Sequence, residues 1–240
     1  MELTQDKFLD GRITLKQTKL GYRAGIDAVL LAAFVKAHEQ GSILDIGSGV
    51  GAISLCLAAH HEDIEITGLE VQEELVQLAQ ENNEINGFQH RVKFVKGDLY
   101  YPPKALPFNS FSAVVTNPPY FDLGEGAKNK ETSKAKARHT NNIQDWMTSC
   151  LKFVKPRGHI FLIHRADQID KIITALSTQA GAIKINPLWA APKRPAKLIL
   201  VSARKGVKTG CEILPGELLH DSPNTYTDKI EAILRGKSLF

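Results

Sequence analysis

Leu44-Asp45-Ile46-Gly47-Ser48-Gly49-Val50-Gly51 closes one apolar run and opens another, from Ala52 to Ala59. An apolar strand that breaks into alternating glycines and resumes as a helix-length apolar segment reads as the turn of a βα unit. Glycines suit it because the chain must turn sharply and let a ligand approach without Cβ atoms in the way. The spacing, Gly-x-Gly-x-Gly with Asp45 two residues ahead, differs from the Gly-x-Gly-x-x-Gly of dinucleotide sites. A pyrophosphate is served by the bare helix N-terminus. An amino acid with an ammonium group also calls for a carboxylate such as Asp45, directly or through water.

Outward from this turn, short β-rich runs alternate with helix-length segments. Strands are expected at 42–47, 64–71, 92–99, 111–116, 158–164 and 197–203, with helices at 73–86 and 142–154. That alternation predicts an α/β fold, a mostly parallel sheet with helices on both faces. The runs 182–190 and 197–203 flank Pro-Lys-Arg-Pro and are expected to pair as a hairpin. The second strand closes on Glu70, placed to accept the hydroxyls of a ribose. The third closes on Asp98-Leu99, an acceptor for an adenine amino group beside an apolar face. Each acid alone reads as a turn or cap. Together with Asp45 they line one crevice at consecutive strand ends, where α/β sheets bind ligands.

After the fourth strand the chain reads Asn117-Pro118-Pro119-Tyr120. The prolines fix the local backbone and remove amide donors, leaving carbonyls to face a ligand. An amino group on an aromatic ring is a poor nucleophile because its lone pair is delocalised. Acceptors from the Asn117 side chain and the Pro118 carbonyl would draw its hydrogens out of plane and stabilise the cation formed on alkylation. Tyr120 offers a face on which a planar acceptor stacks, and a base would have to leave its own stack to reach it. With a nucleoside that carries an amino acid on one side and a planar amine on the other, the expected cofactor is S-adenosyl-L-methionine, a sulfonium methyl donor. Its sulfur leaves as a neutral thioether, so alignment and charge stabilisation suffice and no general base is assigned. The eight histidines show no metal-ligand spacing, and His60-His61 reads as a helix-end pair.

The chain has 240 residues, 43% hydrophobic content and 23% charged residues, enough for one large core. A single domain is expected, with 1–40 preceding a core at 41–205 and 206–240 as an extension. Cys56, Cys150 and Cys211 lie far apart, which suggests neither a disulfide framework nor a zinc site. No run is long and apolar enough for a membrane span and no signal-peptide pattern opens the chain, so a cytoplasmic location is expected. The net charge is +4, and no acid occurs from Lys171 to Cys211, a segment that holds Lys184, Lys193, Arg194, Lys197, Arg204, Lys205 and Lys208. Such a face suits a polyanion such as RNA and equally a solvated surface. The long irregular stretch 121–141 is read as a lid that orders on the acceptor.

These residues resemble the bacterial tRNA(Val) adenine-N6 methyltransferase family, within the Asn-Pro-Pro-Tyr methyltransferases. The likeness is carried by Gly21-Tyr22-Arg23-Ala24-Gly25-Ile26-Asp27, the glycine-rich turn, Asn117-Pro118-Pro119-Tyr120, Ala137-Arg138-His139-Thr140 and Tyr226-Thr227-Asp228. The resemblance implies a Rossmann-like class I methyltransferase with a seven-stranded sheet whose last strand is antiparallel. It implies that 1–40 folds over the cofactor, with Gly25 and Asp27 near its methionine end beside Asp45, Gly47, Gly49, Gly51, Glu70, Asp98, Leu99 and Asn117. It also implies tRNA as partner, without metal or membrane. Family members can carry Lys-Val-Gly-Thr-Asp where this chain has Arg23-Ala24-Gly25-Ile26-Asp27, so the cofactor site and the acceptor identity are separate expectations. Rival acceptors are a ribosomal-RNA guanine and a protein glutamine of the release-factor type. Enzymes of the latter type carry a helical N-terminal domain for which 40 residues are few. A non-enzymatic RNA-binding module would not require the cofactor constellation.

Overall fold

The computed structural model describes residues 2–19, 23–35, 41–119, 142–223 and 225–240. Strands β1 (Leu3–Phe8) and β2 (Ile13–Thr18) form an antiparallel hairpin, followed by α1 (Ile26–Phe34). Next come β3 (Ser42–Ile46), α2 (Ala52–His60), β4 (Glu65–Glu70), α3 (Glu73–Asn86), β5 (Val92–Lys96) and β6 (Phe111–Thr116). The chain continues through α4 (Ile143–Phe153), β7 (Val154–Arg165), α5 (Ile169–Ser177), β8 (Ala180–Trp189) and β9 (Leu198–Lys205). Short strands β10 (Glu212–Ile213), β11 (Glu217–Leu218), β12 (His220–Ser222) and β13 (Thr225–Tyr226) lead to α6 (Asp228–Leu234).

The long strands lie in the order β5-β4-β3-β6-β7-β9-β8. Strands β3 to β7 pair in parallel, and β9 is antiparallel to both neighbours, β8 through the expected hairpin. The seven expected strands are present, and among the described residues the sheet is extended to nine because β10 and β11 pair in parallel with the outer edge of β8. Their physical role is to cover backbone groups that a bare edge would leave open to another chain. Strand β7 also begins earlier than expected. Its pairing shifts between Phe111–Val154 and Ala113–His159, so Pro156 and Gly158, which follow α4 as expected, sit in a bulge at the start of β7.

Alternation along the strands splits the core between the two faces. Ile43, Ile66, Val115 and Phe161 pack with α1, α2, α3 and α6, whereas Leu44, Ile46, Val114 and Leu162 pack with α4 and α5. Helix α1 is apolar nearly all round, Ala28 through Phe34 all being buried, which fits a helix enclosed by neighbours. Helix α3 spans the predicted residues and ends at Gly87 with φ 73°, a left-handed cap. The C-terminal end of α2 is held by two guanidinium groups. Arg12 donates to Ala59, and Arg91 donates to Ala58 and, at 2.6 Å, to the His61 carbonyl. His60 has its pKa lowered to about 4 by burial, with smaller pushes from Arg12 and His61, so these arginines and not His60 supply the positive charge there.

The N-terminal hairpin is fastened to α3 by two asparagines one helical turn apart. Asn82 accepts from the Lys16 amide at 2.7 Å and donates to the carbonyls of Lys16 and Val50 at 3.0 Å each. Asn86 accepts from the Thr14 amide at 2.9 Å and donates to the Thr14 carbonyl at 2.8 Å. The side-chain amides thus complete the open edge of β2 as a neighbouring strand would. Asn82 also reaches the glycine-rich turn, since Val50 lies within it. Truncating the fully buried Asn82 to alanine leaves three backbone groups unpaired. Asn82→Ala is expected to cost about 2–4 kcal/mol in urea unfolding; an unchanged midpoint would show that water replaces the amide.

Candidate active site

Strand β3 pairs with β4 on one side and β6 on the other, and their following helices α2 and α4 cover opposite faces. At such a switch point the connections diverge and open a crevice at the carboxyl ends of the strands. The last register pair of β3 and β6 is Ile46 with Thr116. The residues that follow are Gly47 and Asn117, so the first residue of the glycine-rich turn and the first of the proline motif leave adjacent strands, spaced about 4.8 Å apart, at the same level.

Gly47, Gly49 and Gly51 have φ of 74°, 54° and 88°. Their left-handed conformations fold the turn over the end of β4: the Gly47 and Ser48 amides donate to the Leu69 carbonyl at 2.8 and 3.1 Å. The Gly49 amide donates to Glu70 Oε2 at 3.0 Å, while Glu70 Oε1 accepts from the Val71 and Gln72 amides at 2.9 and 3.0 Å. Glu70 therefore binds two strand ends together, with acceptor capacity left on Oε2. Holding both hydroxyls of a ribose would require the Gly49 amide to give way.

Asp45 is fully buried behind the turn and accepts from the Ser54 hydroxyl of α2 at 2.7 Å. Burial raises its pKa to about 7 against the pull of the Ser54 hydrogen bonds, and Glu70 adds to the rise. In the unfolded chain the same carboxyl ionises near 4. Between these values the folded protein holds the extra proton, so this contribution to stability is present below pH 4 and is lost as pH rises to about 7. Asp45→Asn is expected to remove that dependence, worth on the order of 2–4 kcal/mol at most, in denaturant midpoints compared at pH 5 and pH 8. Equal pH dependence in both proteins would contradict it.

The other residues anticipated for the cofactor lie on separate elements. Gly25 is the N-cap of α1, and Asp27 lies in its first turn with its pKa raised by burial. The Gln17 side chain clamps this entry, accepting from the Ala24 amide at 2.8 Å and donating to its carbonyl at 3.3 Å. Asp98 and Leu99 lie beyond the end of β5, which stops at Lys96. Asp98 Oδ1 accepts from the Tyr100 amide at 2.8 Å, and Leu99 is buried in the core. Asn117 is half-buried, Pro118 buried and Pro119 exposed. Tyr120 and residues 121–141, including the expected lid and the 137–140 motif, lie outside the described residues, as do Gly21 and Tyr22.

Several features mark the turn as fitted to a ligand. Ser48 Oγ and Asp45 Oδ1 are buried without a hydrogen-bond partner. Among the described residues, no heavy atom beyond the adjoining residues lies within 4 Å of where a Cβ would stand on Gly25 or Gly49, leaving room at both. The Asp45 carboxyl can pair with an ammonium and the Ser48 hydroxyl can donate to a carboxylate, which with the room at Gly49 suits the amino-acid half of the cofactor.

Two neighbours of the crevice carry no signal in the sequence. Val71, next to Glu70, is 51% exposed and offers apolar surface at the rim. Trp146, from the first turn of α4, sets its ring 3.4 Å from where a Gly47 Cβ would stand. Among the described residues no group of three or more His, Cys, Asp or Glu is placed to hold a metal, and no helix is long and apolar enough to cross a membrane.

The strand order, the antiparallel β9 and the glycine-rich turn at the switch point define a Rossmann-like S-adenosylmethionine-dependent methyltransferase, and S-adenosyl-L-methionine is its cofactor. Residues 24–168 match the Methyltransferase small domain family, and the chain belongs to that family. It is similar to a protein of Vibrio campbellii named tRNA1(Val) (adenine(37)-N6)-methyltransferase, with 25% identity over 218 residues, 90% of this chain and 88% of that one. Among solved structures it is similar to a predicted O-methyltransferase from Agrobacterium tumefaciens, with a TM-score of 0.75, 25% identity, and coverage of 89% of this chain and 98% of that one. The fold is also that of M. jannaschii TYW2 in complex with AdoMet, with a TM-score of 0.58, 15% identity, and coverage of 84% and 85%.

Proposed function

We propose that this methyltransferase acts on the exocyclic N6 of an adenine in tRNA and works in the cytoplasm. The observation that carries the reading is the register of Ile46 with Thr116, which sets the glycine-rich turn beside Asn117. The bound cofactor supplies an electrophilic methyl group on a sulfonium. Glu70, Asp98 and Leu99 would hold its nucleoside, and Asp45, Gly47, Gly49 and Gly51 with Gly25 and Asp27 would receive its methionine end. An ammonium group near Asp45 favours the ionised carboxylate, so affinity rises with pH through about 7 in the wild type and not in Asp45→Asn.

The Asn117 oxygen and the Pro118 carbonyl accept the two hydrogens of the target amine and turn its lone pair out of conjugation. The freed lone pair is the nucleophile to which the methyl group of a bound cofactor would add. Asn117 and Pro118 stabilise the charge on nitrogen until one proton leaves to water. Pro119 fixes the backbone, and Tyr120 supplies a stacking face for the flipped base.

The curated relatives named for adenine 37 of tRNA1(Val) support this acceptor. So does charge: Lys193, Arg194 and Lys197 are exposed on the β8–β9 connection, at the same sheet edge as Asn117. Lys205 of the same basic stretch serves the fold, donating to the Leu151 and Val154 carbonyls at 2.6 and 2.9 Å. Nucleoside analysis of tRNA from cells with and without this chain tests the proposal: N6-methyladenosine is expected to disappear with the gene, and an unchanged level would refute the tRNA acceptor.

A further inference from the structure

A side-chain relay crosses the crevice floor between the two loops. Trp146 Nε1 donates to Thr116 Oγ1 at 3.0 Å, and the Thr116 hydroxyl donates to the Ile46 carbonyl at 2.9 Å. Thr116 is fully buried and precedes Asn117; Ile46 precedes Gly47. The relay therefore ties together the final register pair of β3 and β6, at the level where ladder hydrogen bonding ends and the two functional loops part. The Trp146 ring also stands 3.4 Å from where a Gly47 Cβ would be, so one residue of α4 faces both arms. Its own place is set by Asn142, whose side chain caps α4 by accepting from the Asp145 amide at 2.8 Å.

The geometry points to Thr116 and Trp146 as positioning residues that fix the distance between the cofactor turn and Asn117. Glu70 and the Leu69 carbonyl anchor the turn to β4 without help from the relay. Losing the relay should therefore spare cofactor affinity and disturb the alignment of Asn117 with the methyl group. Methyl transfer is sensitive to such alignment, since a displacement of about 1 Å can cost about a hundredfold. The inference rests on the proposed role of Asn117 as the acceptor-holding residue.

The test uses the full chain with Thr116→Val, Thr116→Ser, Trp146→Phe, the Thr116→Val/Trp146→Phe double variant and Asn117→Ala. Methyl transfer to bulk tRNA and titration with S-adenosylmethionine give kcat and cofactor affinity. Amide exchange of residues 44–51 and 113–119 in the cofactor-bound protein needs no acceptor. Thr116→Val and Trp146→Phe are each expected to lower kcat about tenfold with cofactor affinity within about twofold. Both should speed exchange in the two segments together. Thr116→Ser should stay near wild type, and the double variant should be little worse than Thr116→Val, as expected for members of one relay. Unchanged exchange in both segments, multiplicative losses, or equal loss of kcat and cofactor affinity would overturn the inference. If Asn117→Ala loses turnover while Thr116→Val and Trp146→Phe keep it, the relay alone is wrong. If Asn117→Ala keeps turnover, the proposed function of the motif falls.

Discussion

Asn117→Ala is expected to bind S-adenosylmethionine within a few-fold of wild type and to lose turnover by about 10²- to 10³-fold. The asparagine follows β6 directly and stands half-buried at the crevice, beside the turn proposed to receive the cofactor. Its amide oxygen matters most when positive charge develops on the target nitrogen, so the loss falls on kcat more than on KM. The turn is held independently by Leu69 and Glu70, and cofactor titration should register little change. Parallel loss of binding and turnover would indicate instead that Asn117 supports the fold of the crevice.

Gly51→Ala is expected to show a large loss of stability. Gly51 has φ of 88°, and an added Cβ would stand 2.7 Å from Cζ of the buried Phe94 and 3.4 Å from Ala79. The left-handed conformation costs roughly 1–2 kcal/mol for a residue with a Cβ, and overpacking against a stiff ring adds about 1–3 kcal/mol. A total of about 2–5 kcal/mol corresponds to a fall in Tm of roughly 5–15 °C for a chain of this size. Gly51 is also the N-cap of α2, so the strain lands on the turn and should weaken cofactor binding. Phe94→Leu in the same protein should recover part of the loss, because it relieves the overlap and not the backbone strain. A Tm unchanged by Gly51→Ala would mean that the turn has another accessible conformation.

The parts of this fold that could be read from sequence are those with local causes. Helix α3 lies at the predicted residues because its period, its acidic first turn and Gly87 all act within the segment. The β8–β9 hairpin was legible from two β-rich runs around a proline-bounded link. The hairpin β1–β2 was not, since its stability comes from Asn82 and Asn86, about 70 residues away, completing its edge. The additions of β10 and β11 to β8 are likewise long-range, two residues each, too short to leave a pattern.

The site divides along the same line. The glycines announce themselves because positive φ restricts residue choice, Glu70 because it ends a strand and Asn117 because it follows one. What sequence could not convey is how those groups are already engaged. Glu70 anchors three backbone amides, and Asp45 is sealed behind the turn with its proton retained to about pH 7. Trp146 left no sign, because a lone tryptophan in an amphipathic helix reads as core until its Nε1 is found on Thr116.

The most direct test of the central claim is transfer of labelled methyl from S-adenosylmethionine to separate pools of total tRNA, ribosomal RNA and release factor, followed by nucleoside analysis of the labelled RNA. The account predicts label in N6-methyladenosine of the tRNA pool, abolished by Asn117→Ala. Label confined to guanosine or to protein would leave the methyltransferase fold and cofactor in place and contradict the adenine acceptor.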